Sequence, residues 1–442
     1  MDKQILIYTP KRTNRLVFIF NHFLKEILGL EPQFCVDIDK FKAFEGAKLH
    51  YGYTAIGDEF FIAADELLFE RGIKDQELSF GEYLNLPSLF PTYSRNSKYP
   101  FDLFSASFFL ISRYEEYLPF MKDKYGRFPA SESIAYRNDF MQKPLVDIWA
   151  KDLATKLKSF FPNLQINRPK YQFTPTIDID AAYAYKHKGA LRVIGGYLKS
   201  IRSLDFRDLV TRTKVLFGLE KDPFDTFDYL FDIIHSRKLK AIFFILFADY
   251  GTNDKNTPTY SQTFRELVSY IGDNAKVGIH PSFTSNTVTS KLKKELTGLS
   301  KAVHQEIVKS RQHFLIIHMP STYRNLITNG ITDDYSMGFA DEIGFRASTS
   351  LPFLFYDLEM EYTTSLRIHP FAAMEGTLRD YKGLNDVEAL VEYKNIIDEI
   401  RAVDGTFVSI WHNETLNNLN GWEGFQNVFE KMNQTGFEWA NE

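Results

Sequence analysis

From about residue 171 onward, short apolar runs alternate with amphipathic helical patterns, and this alternation limits the fold more than any other feature. Strands are expected at Phe173–Ile179, Lys240–Ala248, Lys276–Ile279, Phe314–His318, Gly344–Ala347, Ser365–His369 and Thr406–Trp411. Helical periodicity falls between them, at Ala190–Ile201, Phe206–Leu216, Phe224–Ser236, Ser261–Ile271, Ser290–Ser310 and Asp386–Val403. Seven strands with intervening helices predict a parallel sheet curled into a βα-barrel-like α/β domain. Active groups in such folds gather where the strands end.

The preceding segment reads differently. A strand at Gln4–Tyr8, a helix at about Leu16–Leu28 and a strand at Pro32–Asp37 are followed by short strands at Ala47–Tyr51 and Glu59–Ala63. Helices are expected at Leu103–Tyr117 and Val146–Phe160, with a boundary near Pro162, Asn163 and Pro169. The expected organisation is a smaller mixed α/β domain over 1–165 and a larger one over 171–442. A chain of 442 residues is long for a single core, which agrees with two. Glu115 and Glu116, after Arg113, are expected to form a charge network with no part in chemistry.

Composition removes several classes. The 57 acids and 52 bases leave a net charge of −5, which argues against nucleic-acid binding. A single cysteine, Cys35, excludes an internal disulfide and a thiolate metal cage. No uncharged apolar run approaches the roughly 18 residues of a membrane span, and the first residues show no signal-peptide core, so the cytoplasm is the expected compartment.

The first strand of the larger domain ends in Thr176-Ile177-Asp178-Ile179-Asp180. Residues two apart on a strand share a side, so two acids meet on one face. That is costly unless a cation or a proton lies between them. His280 closes Val277-Gly278-Ile279, His412 ends Phe407–Trp411, and Arg311 and His313 flank the expected strand at 314–318. Carboxylate and imidazole together suit zinc, with cobalt, nickel or manganese as alternatives.

The series Thr176-x-Asp178-x-Asp180, Lys240–Phe244, Val277–His280, Arg311-x-His313 and Ser409–His412 resembles the polysaccharide deacetylase (NodB-homology, carbohydrate esterase family 4) family over about 171–415. The N-terminal segment lies outside that pattern. The resemblance implies a distorted βα barrel that deacetylates sugars with a divalent metal. It implies Asp178 as general base, Asp180 and His280 as metal ligands, Arg311 as the residue orienting the base and His412 as general acid. Two departures stand out. The family's first motif has adjacent acids, whereas Ile179 separates them here. Its second histidine, four residues after the first, is replaced by Thr284. His313 is the expected substitute ligand, with His318 as its rival.

Asp333, Asp334 and Trp411 are candidates for contacting a carbohydrate substrate. The competing readings are turn initiation or helix capping for the acids and core packing for the tryptophan. Arg346 could serve either a pocket acid or a framework salt bridge.

Overall fold

The computed structural model describes residues 3–419 and 421–440. Strands β1 (Gln4–Tyr8), β2 (Glu31–Cys35), β3 (Lys48–Gly52) and β4 (Phe60–Ala63) form a parallel sheet in the order β2-β1-β3-β4. Helix Asn14–Phe20 crosses from β1 to β2 and continues with π-type hydrogen bonding over Asn21–Ile27. A hairpin, β5 (Phe80–Tyr83) and β6 (Leu86–Leu89), precedes the helix Leu103–Ile111, which is buried along its whole length. So apolar a helix must satisfy its first turn internally. Asp102 does this, accepting from the amides of Phe104 and Ser105.

That helix stops six residues short of the expected Tyr117, because Arg113 adopts the left-handed conformation at φ 55°. The turn lets Arg113 reach Glu115 at 2.7 Å and Glu116 at 2.8 Å. Glu116 is also gripped by Arg346, whose Nε and Nη2 lie 2.8 and 2.7 Å from its two oxygens. Arg346 is thus a framework residue. Burial alone would raise the Glu116 carboxyl; Arg346 and Arg113 hold it below its ordinary range.

The second sheet comprises β7 (Gln172–Ile179), β8 (Ile242–Ile245), β9 (Lys276–Ile279), β10 (Lys309–Ser310), β11 (Asp333–Asp334), β12 (Phe353–Asp357), β13 (Tyr362–Ile368), β14 (Ala373–Met374) and β15 (Thr406–His412). Their order is β12-β13-β11-β10-β9-β8-β7-β15-β14, parallel throughout except for the β12–β13 pair. The expected barrel is not closed by hydrogen bonds: the described residues form an open ladder with β12 and β14 at its edges.

Two expected strands are corrected. Phe314 and Leu315 have φ of 58° and 55°, which no strand accommodates, so 314–318 is loop and the strand in that place is β10. Gly344 has φ +127° and lies against Met141, whose carbonyl oxygen would sit 2.4 Å from an added Cβ, so 344–347 is a close-packed turn. Helices Ser321–Thr328 and Phe425–Ala440 and strand β12 had no counterpart in the sequence reading.

One hydrophobic core runs from Ile5 through Phe104 and Trp149 to Phe243, Ile279 and Trp411, so both sheets pack on common ground. Removing the charge of Glu116 strands the buried Arg346 guanidinium and leaves Arg113 with Glu115 alone. Glu116→Gln is expected to cost about 3–5 kcal/mol in chemical denaturation. A loss below about 1 kcal/mol would show that the triad is not fully desolvated.

Candidate metal and acid–base centre

Register brings the sequence candidates together. Asp178 pairs with Phe244 on β8 and with His412 on β15. Ile179 is level with Ile245, and Ile245 with Ile279, while Ser310 pairs with Ile279. The residues immediately following, Asp180, His280 and Arg311, therefore leave neighbouring strands at one carboxyl edge. His313 follows two residues later, and its position after β10, not before a strand, is what carries it to that edge.

Ligand atoms of Asp180, His280 and His313 all lie within 4.8 Å of one another. The Nε2 of His280 is 3.1 Å from Asp180 Oδ1, and that of His313 is 3.3 Å from Asp180 Oδ2. Donors on a tetrahedral ion at roughly 2.0–2.2 Å are themselves about 3.3–3.6 Å apart, so the three residues fit a small divalent cation. Asp180 Oδ1 is buried and makes no well-formed hydrogen bond, which leaves it open to a cation.

Both imidazoles are braced from behind. His280 Nδ1 is 2.5 Å from the Arg311 carbonyl oxygen, and His313 Nδ1 is 3.0 Å from Asp254 Oδ1. Acceptors at Nδ1 hold a proton there, so Nε2, facing Asp180, is the atom that would give up its proton to a cation. Burial pulls the His313 imidazolium down, but Asp180 and then Asp254 hold it up to about 9. Burial likewise opposes ionisation of Asp180, and the charges of His313 and His280 keep it well below the ordinary carboxylate range.

On one flank, Asp178 Oδ1 accepts from Arg311 Nη1 at 2.9 Å. Arg311 is fully buried, also donates to Thr176 Oγ1 and to the Tyr335 carbonyl, and lies 4.6 Å over the Phe244 ring. Gly278 makes room for that ring, which would sit 2.5 Å from an added Cβ. On the other flank, His412 Nε2 is 3.9 Å from Asp180 Oδ2 and its Nδ1 is 2.7 Å from Glu375 Oε1. Burial would lower the His412 imidazolium, yet Glu375, then Asp180 and Asp178, raise it well above its usual value.

Asp178, Asp180, His280, His313 and His412 line a cleft of about 310 Å³ whose rim includes Arg127, Gln312, Tyr381 and Trp422. Glu414 also faces it, its carboxyl pushed up to about 7 by burial and by the charge of Asp180.

Four expectations are corrected. Trp411 is fully buried, stacked on Tyr393 at 5.8 Å and edge-on to Phe429, so strand alternation turns it into the core and no sugar can reach it. Asp333 pairs with His369 at 2.7 Å, away from the cleft. Asp334 is fully buried and accepts from Ser310, at 2.8 Å, and from Ser336. Neither acid contacts the cleft or His412. His318 is engaged by the Gly126 carbonyl at 3.0 Å and stays outside the ligand set. Thr284 lies in an exposed turn, where its hydroxyl accepts from Lys291.

Sequence reading missed Asp254, Glu375 and Glu414. Glu375 follows the apolar run Phe371–Met374, the same signal that marks Asp178, but a strand of two residues is too short to stand out. Asp254, in a loop, carried no signal.

The geometry defines an α/β protein with a carboxylate–imidazole cluster able to hold a cation at the carboxyl edge of a mainly parallel sheet. Residues 5–162 match the profile of a family described as of unknown function, DUF7033. No curated protein matches the chain. Among solved structures, it is similar to a protein assigned as a polysaccharide deacetylase from Mycobacterium smegmatis, at 12% identity and TM-score 0.41, covering 61% of this chain and 84% of that one. It is also similar to the polysaccharide deacetylase Bc1974 from Bacillus cereus, at 11% identity and TM-score 0.31, covering 61% and 89%. A CE4 family pseudoenzyme from Bacillus anthracis aligns at 11% identity and TM-score 0.31, covering 60% and 62%.

Metal titration tests the ligand set. His313→Ala is expected to weaken zinc or cobalt binding by more than the roughly 10–100-fold that losing a group behind a ligand costs. Asp254→Ala should fall within that range, and Thr284→Ala should leave binding unchanged. Ligation also has to displace the proton that His313 keeps up to about 9. Apparent affinity should therefore climb with pH, by up to about tenfold per unit, and level off above 9. Affinity independent of pH between 6 and 9 would remove His313 from the ligands.

Proposed function

We propose that the chain is a metal-dependent carbohydrate deacetylase, hydrolysing the N-acetyl (or O-acetyl) group of an amino sugar in a surface polysaccharide or its precursor. The observation that carries this reading is the arrangement of three potential metal ligands between a braced carboxylate and a braced imidazolium. It agrees with the sequence resemblance to polysaccharide deacetylases. Zinc is the favoured ion, with cobalt, nickel or manganese as alternatives.

A divalent ion held by Asp180, His280 and His313 would polarise the acetyl carbonyl and acidify a water. Asp178 would take a proton from that water. Arg311 fixes one of its oxygens and leaves the other for the transfer. His412, kept protonated beside Glu375, would give its Nε2 proton to the departing sugar nitrogen as the C–N bond breaks. The separated acids keep distinct duties because their partners differ: a guanidinium for Asp178, two imidazoles for Asp180.

The segment 1–165 is proposed as a domain that completes the cleft rim. Its Arg127, paired with Asp123 at 2.6 Å, donates to the Phe314 carbonyl at 3.0 Å and so steadies the loop that follows His313.

The test is acetate release from a panel of acetylated amino-sugar precursors by zinc- or cobalt-loaded protein. Asp178→Asn is expected to lower kcat by about 10²–10⁴-fold with metal affinity retained. Metal binding without acetate release from any member would instead support a non-catalytic glycan-binding protein. Unchanged turnover in Asp178→Asn would remove Asp178 from its role as base.

A further inference from the structure

Between β7 and β8 the chain makes a helical hairpin, Ala190–Arg202 and Phe206–Leu216, of which one apolar face is exposed while Val215 on another is buried. In the first helix Leu191, Ile194, Leu198 and Ile201 form one stripe, with Leu191 86% and Leu198 62% exposed. In the second, Phe206 and Val210 continue to Phe217, 78% exposed. Soluble surfaces rarely carry a contiguous apolar stripe of this length without a partner.

The helices run antiparallel, held by Ser200 to Asp208, Tyr197 to Thr213 at 2.9 Å, and Arg212 against Gly196. At roughly 100° per residue, each stripe lies about 140° round its own helix from these contacts, in the same rotational sense. Reversing one helix mirrors that sense, so both stripes emerge on one side of the hairpin. The opposite side is anchored. Arg192 donates to the carbonyls of Asn256 and Lys255, and Asn256 receives the amide of Ala182 beside the metal ligands.

Charge identifies the occupant. From Lys186 to Lys221 there are nine Lys or Arg and three Asp or Glu, a local charge of +6 in a chain whose net charge is −5. Asp208, the one acid inside either helix, is turned inward onto Ser200, Tyr185 and Arg212. Exposed Arg202 borders the first stripe, with Lys199 on the flank beyond it, and Arg207 and Lys214 lie beside the second. A second copy docking here by two-fold symmetry would oppose +6 to +6. An anionic bilayer accepts both components, the aliphatic stripe at the acyl boundary and the bases among the headgroups.

We propose that this hairpin is an interfacial anchor that seats the protein on an anionic lipid surface, with the edge carrying Asp180 held close to it. The proposal concerns attachment alone and is independent of the chemistry assigned to the cleft.

Co-sedimentation of the full chain with phosphatidylcholine vesicles, with and without phosphatidylglycerol, tests it. Binding is expected only to the anionic vesicles and should weaken with added salt. Ile194→Glu/Leu198→Glu and Lys199→Glu/Arg202→Glu should each reduce it by at least about tenfold, with unchanged circular dichroism and metal affinity showing that the fold persists. Equal or absent binding to both vesicle types would overturn the proposal. So would a concentration-dependent dimer in ultracentrifugation that Ile194→Glu/Leu198→Glu disperses while vesicle binding is absent, since the stripe would then be covered by a second copy.

Discussion

Arg311 is the residue on which the centre depends. A guanidinium removed from water is tolerated only where its charge is met, and here Nη2 alone goes without a hydrogen-bond partner. Asp178 meets the charge, Thr176 and the Tyr335 carbonyl take donors, and the Phe244 face covers one side. The same residue's carbonyl oxygen holds His280 Nδ1. One buried side chain thus fixes the carboxylate of β7, while its own backbone orients an imidazole at the end of β9. Asp178 and His280 share a single support.

Around that support, unlike charges alternate. Asp254, His313, Asp180 and His412 form a chain that ends on Glu375, with neighbours 2.7–3.9 Å apart. Each imidazole lies between two acids, and each shift follows from that placement: His313 and His412 upward, Asp180 downward. A cation entering among Asp180, His280 and His313 would replace a proton without leaving a buried charge unmatched. This exchange is why one set of residues can be satisfied both as an ion-pair network and as a ligand set. A histidine at position 284 is dispensable to such a set because His313, following β10, brings its imidazole to Asp180.

Much of the centre was legible in the sequence. Asp178, Asp180, His280 and His412 each end an apolar run, and a parallel sheet brings strand ends together whatever lies between them. The elements with strong periodicity, β1, β7, β9, β15 and the helices at 190–202, 206–216 and 386–402, fall close to where the pattern put them. What escaped was short or irregular. Strands β10, β11 and β14 have two residues each, too few for alternation to register. Trp411 was a candidate sugar contact because it adjoins His412. Closeness in sequence to a site residue says nothing about which side of the strand a group takes, and one step of alternation sends it into the core.

The sequence by itself determined the chemistry available: two acids at a strand end, histidines closing later strands, an arginine two residues before a histidine and no thiolate cage. Tertiary structure alone decided which of these converge. It chose His313 over His318 through the left-handed turn at Phe314 and Leu315. It supplied Asp254 and Glu375 as the groups behind the imidazoles, and it exposed the apolar stripes of the 190–216 hairpin, which periodicity alone would have buried. The physical reason is that local patterns specify faces and ends, whereas register and loop conformation specify which ends meet.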